Sequence, residues 1–305
     1  MRKILILGSS GYIGSYLASS LKKKYKVISH SRKKIISKKF NKNIFKTVTG
    51  DVTKKSTLQK VLKLKPDVLI FTISLNHFKS EKNLKISIKN NFEPLKNLVK
   101  LIIKKKLNVK IIYFSTMQVY GRDYNKKVIS EKYPKKINNI YSLTHSMCEE
   151  LLIKSKKKIK SHSLRLSNSF GMPELKNIDC WWLVLNDFCR SAKKRGEIII
   201  KSDGLALRDF ISLKDISRIV DRLIVGNYHL PIINVCSGKT FSIKEIANKV
   251  SNSKYFRKRI PVKVLIKKKE KKNKRYKYDN KLIKKIGINS FTNLDFQIKE
   301  FLKKI

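Results

Sequence analysis

The chain has 305 residues, 41% of them hydrophobic, enough for one large α/β unit or two unequal lobes sharing a core. No run approaches the roughly 20 apolar residues of a membrane span, and glycines interrupt MRKILILGSSGYIGS before it could act as a signal segment, so a cytoplasmic protein is expected. The net charge of +51 comes from lysines scattered over the whole chain, so it suits an anionic substrate without marking a nucleic-acid face.

The first half alternates strand and helix. KILILG (3–8) is a continuous apolar run ending in glycine, as a buried parallel strand should be. YIGSYLASSLKKK follows with Ile13, Leu17 and Leu21 at helical spacing. YKVISHS (25–31) and IFKTVTGD (44–51) read as the second and third strands, and STLQKVLKLKP (56–66) as a helix stopped by proline. DVLIFTIS (67–74) is a strand, and 84–106 holds a long helix that Pro94 starts or kinks. The strand VKIIYFST (109–116), the helix 141–157 and the strand KSHSLRLSN (160–168) complete the run. Repeated βαβ units of this kind predict a doubly wound parallel sheet.

After Gly171 the pattern becomes irregular: a helix at WWLVLNDFCRSAKKRG, a short strand at GEIIIKS, a helix at SLKDISRIVDRLIVG, a returning strand at PIINVCSG and a helix at SIKEIANKVSN. The spacing predicts a dinucleotide-binding domain from 1–170 with 214–234, and a smaller mixed α/β substrate lobe from 171–213 with 235–305. Only KVLIKKKEKKNKRYKY (263–278) interleaves charge with aromatics as nucleic-acid surfaces do, and a specific nucleic-acid site is not expected. The four cysteines form no CxxC pair and no metal-ligand spacing with histidine, so reduced, buried thiols and no metal are expected.

Gly8-Ser9-Ser10-Gly11-Tyr12-Ile13-Gly14 lies between the first strand and the first helix. Gly8, Gly11 and Gly14 let backbone amides approach a pyrophosphate at a helix N-terminus, with Tyr12 and Ile13 supplying amides. Asp51 and Val52, after the third strand, are candidates to hold an adenine, or Asp51 is a turn residue. An acid at the end of the second strand would bind the ribose hydroxyls of NAD; the chain has Ser31-Arg32-Lys33 there, and Arg32 leans toward the 2′-phosphate of NADP.

These pieces, with NNF (90–92), YFSTMQVYG (113–121), Tyr141, LRLSNSFGMP (164–173), GLALRDFISLKD (204–215), NVCSGKTFSIKEIA (234–247) and YDNKLIKKIGI (278–288), resemble the extended short-chain dehydrogenase/reductases. Within these, the chain is most similar to the NAD-dependent epimerase/dehydratase family. The resemblance implies a Rossmann-type fold, NAD or NADP as cofactor, a nucleotide-sugar substrate, a possible homodimer, and an isomerase or oxidoreductase of polysaccharide biosynthesis. It implies that Thr116 hydrogen-bonds the reacting sugar oxygen and that Tyr141 exchanges a proton with it. It also places Asn168 and Arg208 on the nucleotide sugar, Arg208 at its diphosphate, and gives Asn91 a supporting role.

One position departs from the pattern. The family's lysine four residues after the tyrosine is His145 here. It shares a helix face with Tyr141, and either nitrogen could reach the nicotinamide ribose, so His145 is a candidate for both catalysis and cofactor binding. With an ordinary pKa near 6.5 it would carry part of a charge at neutral pH, and His145→Lys would flatten the activity profile between about pH 6 and 8. No carboxylate follows Thr116, which disfavours dehydration and leaves epimerisation or keto-sugar reduction. The alternative is a catalytically silent Rossmann scaffold that binds nucleic acid or a protein partner.

Overall fold

The structure is a computed structural model that describes residues 1–121, 124, 127–256, 263–266 and 276–305. Seven parallel strands form the main sheet: β1 (Lys3–Leu7), β2 (Lys26–Ser31), β3 (Lys46–Thr49), β4 (Val68–Phe71), β5 (Lys110–Thr116), β6 (Ser161–Leu166) and β7 (Ile232–Val235). Their order is β7-β6-β5-β4-β1-β2-β3. The chain reverses direction across the sheet between β1 and β4, and doubly wound sheets bind ligands in the crevice outside such a reversal.

The β1 run is apolar throughout because both its faces are covered. Ile4 and Ile6 join one core with Val27, Ile70 and Ile112, while Leu5 and Leu7 join another with Ile28, Phe71 and Tyr113. The first core is closed by the helices α1 (Tyr12–Leu21) and Leu213–Val225, the second by Lys55–Leu62 and Glu93–Lys104. Strand alternation thus assigns successive residues to opposite layers.

A smaller body stands beside the sheet. The strands Thr240–Ser242, Leu207–Ser212 and Asn168–Phe170 form a mixed three-stranded sheet, packed by the helices Val184–Arg195, Ile243–Ser251 and Leu294–Lys304 around Phe170, Phe188, Ile246 and Phe301. Ile283, Ile286 and Ile288, beyond these strands in sequence, pack into the core of the main sheet.

Two elements differ from the sequence reading. The stretch 160–168 is two strands: at Ser167 the chain leaves the main sheet, and Asn168–Phe170 pairs with Leu207–Ser212. The Ser167 N–H still donates to Val235 while its hydroxyl donates to Asp209, so one residue serves both bodies. The helix at 84–106 is in three parts, Leu84–Ser87, a π-helical turn Ile88–Phe92 and Glu93–Lys104, with Pro94 in the first turn of the last. Proline lacks the N–H that a first turn leaves unpaired, so it is tolerated there. All four cysteines are free and buried. Most of the basic stretch 263–278 lies outside the described residues.

Candidate active site

Gly8 turns the chain out of β1 with φ of 97°, in the left-handed region that glycine tolerates. The N–H groups of Gly8 and Ser9 donate to the His30 carbonyl at 3.2 and 2.8 Å, tying the loop to the end of β2. Gly11 caps α1 without a side chain, and the first amide to find a helical carbonyl is Ser15, at 2.9 Å from Gly11. The amides of Tyr12, Ile13 and Gly14 therefore have no partner among the described residues. Three unpaired donors at a helix N-terminus with no acidic side chain in its first turn make a cradle for an anion.

Gly14 keeps that cradle open from behind. A Cβ there would overlap the Gly8 carbonyl and lie 2.8 Å from the Thr72 hydroxyl. Gly14→Ala is expected to weaken dinucleotide binding by more than about tenfold and to cost about 1–3 kcal/mol of stability. Fluorescence titration with NADPH and a thermal melt check it; unchanged affinity would remove Gly14 from the site. The Tyr12 ring leaves the loop altogether. Its hydroxyl donates to the Gly171 carbonyl at 2.7 Å and accepts from Asn186 Nδ2 at 3.1 Å, joining the glycine loop to the smaller body.

The end of β2 carries no acid. Ser31 Oγ donates to the Lys33 carbonyl at 2.6 Å, and Arg32 and Lys33 are exposed. Asp51 Oδ1 accepts from the amide and hydroxyl of Thr53, both at 2.9 Å, so the residue is a turn former. Its Oδ2 has no hydrogen bond among the described residues and stays available. The Thr53 amide holds the Asp51 carboxyl below its ordinary pKa, and the Arg32 charge adds to this. Val52 is buried in the core beneath.

Thr116 ends β5 at the carboxyl edge of the sheet, where its Oγ1 accepts from the Gln118 amide at 3.2 Å. Gln118 in turn accepts from Asn139 Nδ2 at 3.4 Å. Asn139 is the N-cap of the helix Ile140–Lys154, so the Thr116 turn is joined to the helix that presents Tyr141. Glu81 accepts from the amides of Ile140 and Tyr141 at 3.3 and 3.0 Å, where a carboxylate also suits the helix dipole. The Tyr141 hydroxyl has no hydrogen bond among the described residues, and burial pushes its pKa up to about 12.

His145 lies one turn on, its ring 4.5 Å from that of Tyr141 and nearly perpendicular to it. It is 2% exposed. Tyr113 Oη lies 2.6 Å from Nδ1, and Ser74 Oγ lies 3.3 Å from Nε2. Burial lowers its pKa to about 4, against a weaker upward pull from Glu149. The shift runs against the expected partial charge at neutral pH, because burial disfavours the imidazolium cation. Both nitrogens are also engaged by the protein, which the spacing of Tyr141 and His145 does not reveal.

Sequence reasoning missed the network behind these residues. Glu149, one further turn along the same face, is fully buried; its Oε1 accepts from Ser115 Oγ at 2.7 Å and Arg165 Nε at 2.9 Å, and its Oε2 from Arg165 Nη2 at 2.7 Å. Lys135 Nζ stands 3.1 Å from Oε2. Burial alone would raise the Glu149 pKa, but the Arg165 hydrogen bonds bring it below the ordinary value. The i, i+4, i+8 spacing of Tyr141, His145 and Glu149 was the available signal. Asn91, on the π-helical turn, accepts from the Leu75 amide at 2.7 Å and donates to Thr144 Oγ1 at 3.1 Å, bracing the Tyr141 helix against the Ser74 loop.

Asn168 and Arg208 sit on paired strands of the smaller sheet. Asn168 Nδ2 donates to the Asp209 carbonyl at 3.0 Å, and Arg208 Nη1 to the Leu207 carbonyl at 2.7 Å. Arg208 makes no ion pair with Asp209, which turns inward to Ser167 Oγ, Ser237 Oγ and the amides of Ser237, Gly238 and Lys239. The guanidinium instead adds positive charge beside Tyr124 and Tyr276.

The profile of the NAD dependent epimerase/dehydratase family matches residues 4–236. The chain belongs to that family. Among its relatives is a GDP-6-deoxy-D-talose 4-dehydrogenase of Aggregatibacter actinomycetemcomitans, 27% identical over 248 residues, covering 80% of this chain and 77% of that one. The fold is shared with the UDP-glucose 4-epimerase of Thermotoga maritima, solved with UDP-glucose (TM-score 0.84, 19% identity, 99% and 97% of the two chains). It is shared equally with WbmH of Bordetella bronchiseptica, solved with NAD+ (TM-score 0.81, 21% identity, 99% and 97% covered). Family membership makes the chain an enzyme of NAD-dependent nucleotide-sugar chemistry and sets aside the silent-scaffold reading. Among the described residues, no helix is long and apolar enough to cross a membrane.

Proposed function

We propose that this family member transfers hydride at a ring carbon of a nucleoside-diphosphate sugar, with Tyr141 exchanging the proton of the sugar oxygen and Thr116 hydrogen-bonding that oxygen. The observation that carries this is the pairing of an open anion cradle at Gly8–Gly14 with a half-buried phenol whose hydroxyl has no partner among the described residues. A bound nicotinamide dinucleotide supplies the hydride or accepts it. The chain's part is to hold the pyrophosphate on the Tyr12, Ile13 and Gly14 amides and the adenine beside Asp51 and Val52. Arg208 offers a bidentate donor set to the sugar diphosphate, with Asn168 beside it. His145 packs against Tyr141 and fixes the ring that faces the nicotinamide.

Support for NADP over NAD is the absence of an acid at Ser31 and the exposed Arg32 and Lys33 next to it. Arg32→Ala should weaken NADPH binding about tenfold and leave NADH nearly unchanged; equal effects on both would withdraw the preference. Analysis of the nucleotide that copurifies, followed by assays with NADP+ and GDP-6-deoxy-D-talose or UDP-glucose, tests the reading as a whole. Failure to bind either dinucleotide at micromolar concentration would refute it. A cytoplasmic homodimer belongs to the same proposal, and light scattering checks the assembly.

A further inference from the structure

We propose that Phe78 and Trp182 form the wall against which the sugar ring lies, and that this wall selects a deoxyhexose. The inference rests on the hydride-transfer reading above and adds the class of sugar, which family membership leaves open.

The two rings stand at the mouth of the cleft, one from each body. The chain leaving β4 first passes the glycine loop, where the Thr72 hydroxyl donates to the Leu7 carbonyl at 2.9 Å. It then passes the Tyr141 helix, where Ser74 Oγ lies 3.3 Å from His145 Nε2, and forms the short helix His77–Ser80. The His77 ring meets the Tyr141 ring edge-on at 6.0 Å, and the Phe78 ring lies 5.8 Å from that of His77. Trp182 comes from the smaller body, two residues before the helix Val184–Arg195. Asn186, in the first turn of that helix, donates to the Tyr12 hydroxyl and accepts from the Gly171 amide at 3.2 Å, which holds the helix start against the glycine loop. The Trp182 and Phe78 rings then meet edge-to-face, 5.8 Å apart with 82° between their planes. The pair thus joins the two bodies on the side of the cleft where Tyr141 stands.

Packing inside the protein does not account for these rings. Trp181, the preceding residue, stacks on Phe301 with planes 4° apart and lies 4.9 Å from the Arg190 guanidinium. Trp182 turns outward and is 42% exposed, and Phe78 is 60% exposed. Single exposed aromatics are common, but two from separate bodies, meeting beside a reactive phenol, make a surface built to be covered.

The chemistry of this wall is one-sided. The face of an aromatic ring is electron-rich and attracts the C–H groups of a sugar. Phe78 carries no polar atom, and the single N–H of Trp182 donates to the Asp179 carbonyl at 3.2 Å. Glu81, just after the short helix, is turned to the Ile140 and Tyr141 amides. A methyl group laid on the wall leaves water at a gain, whereas a hydroxyl there gives up its water without a partner. The wall stands beyond His77 from Tyr141, so it meets the exocyclic C6 of the sugar and not the reacting carbon. A hexose without its C6 hydroxyl fits it better than the hydroxylated counterpart.

Calorimetric titration of Tyr141→Phe saturated with NADP+ measures binding without turnover. Matched nucleotide sugars that differ only in the C6 hydroxyl are compared, GDP-6-deoxy-D-talose with GDP-D-talose and UDP-6-deoxyglucose with UDP-glucose, beside free GDP and UDP. The deoxy sugar should bind about tenfold more tightly than its counterpart. Phe78→Ala and Trp182→Ala, each added to that protein, should remove the preference and leave free-nucleotide affinity within about twofold, while Trp182→Phe keeps the preference. Equal affinities within each pair, or a preference that survives both alanine variants, overturns the inference. Sugars that bind and, in the wild type, turn over without the preference leave the hydride-transfer reading standing. Dinucleotide binding with neither nucleotide nor nucleotide sugar bound refutes that reading and this inference together. Should an alanine variant fail to fold, fluorescence of the wild type minus Trp182→Phe isolates one of the chain's two tryptophans. The deoxy sugars, and not the free nucleotides, should shift it, and no shift overturns the inference.

Discussion

Tyr141→Phe should lower turnover by about 10²–10⁴-fold, the range general acid–base groups contribute, with little change in stability or dinucleotide affinity. The variant is unusually clean at this position. The ring keeps its edge-on contacts with His77 and His145, 6.0 and 4.5 Å between centroids. Its hydroxyl has no partner among the described residues, so removal orphans no buried group there. Loss of activity would therefore report the missing proton and not a rearranged site. Steady-state rates beside a thermal melt give the answer; full activity with a normal melting temperature would take Tyr141 out of the chemistry.

Arg165→Leu should be the most damaging change for stability, costing about 3–5 kcal/mol, as breaking one side of a buried ion pair does. Arg165 is 1% and Glu149 0% exposed. The guanidinium also donates to the Glu131 carbonyl at 3.2 Å and lies 4.7 Å over the Tyr120 ring, so packing is lost with the charge. Lys135 and Ser115 remain on the Glu149 carboxylate and soften the effect. Urea unfolding measures it, and Glu149→Leu in the same chain should recover part of the loss, because the double variant leaves no unpaired charge. The pH dependence has a definite sign. The folded Glu149 pKa is depressed, so the pair's contribution is present above the ordinary carboxylate range and is lost as pH falls through the lower folded value. A loss below about 1 kcal/mol, as for an exposed pair, would contradict the buried assignment.

The two variants separate the roles of one helix. Ile140–Lys154 carries the proton donor in its first turn and the Glu149 anchor two turns later. Between them stands His145, where burial disfavours the charge that its sequence position suggests. The anchor fixes the helix to β5 through Ser115 and to β6 through Arg165, which sets where Tyr141 stands relative to Thr116.

Parallel strands buried on both faces leave continuous apolar runs, and a pyrophosphate loop leaves glycines at fixed spacing. For that reason β1 to β6 and the glycine turn at Gly8–Gly14 were legible in order along the chain, whereas Thr116 and Tyr141 were singled out only through the resemblance to a known family. The break at Ser167 was not, since its two sides continue the same strand pattern and differ only in the sheet they join. Asp209 was equally opaque: beside Arg208 it reads as a surface ion pair, whereas three amides and two serine hydroxyls brought from 167 and 237–239 bury it. His145 shows the limit most clearly. The local sequence determined that an imidazole faces the tyrosine, through helical periodicity alone. Its surroundings were decided by segments far away in sequence, Tyr113 and Ser74 lying 32 and 71 residues from it, and the burial they complete disfavours the cation in a way that only folding assembles.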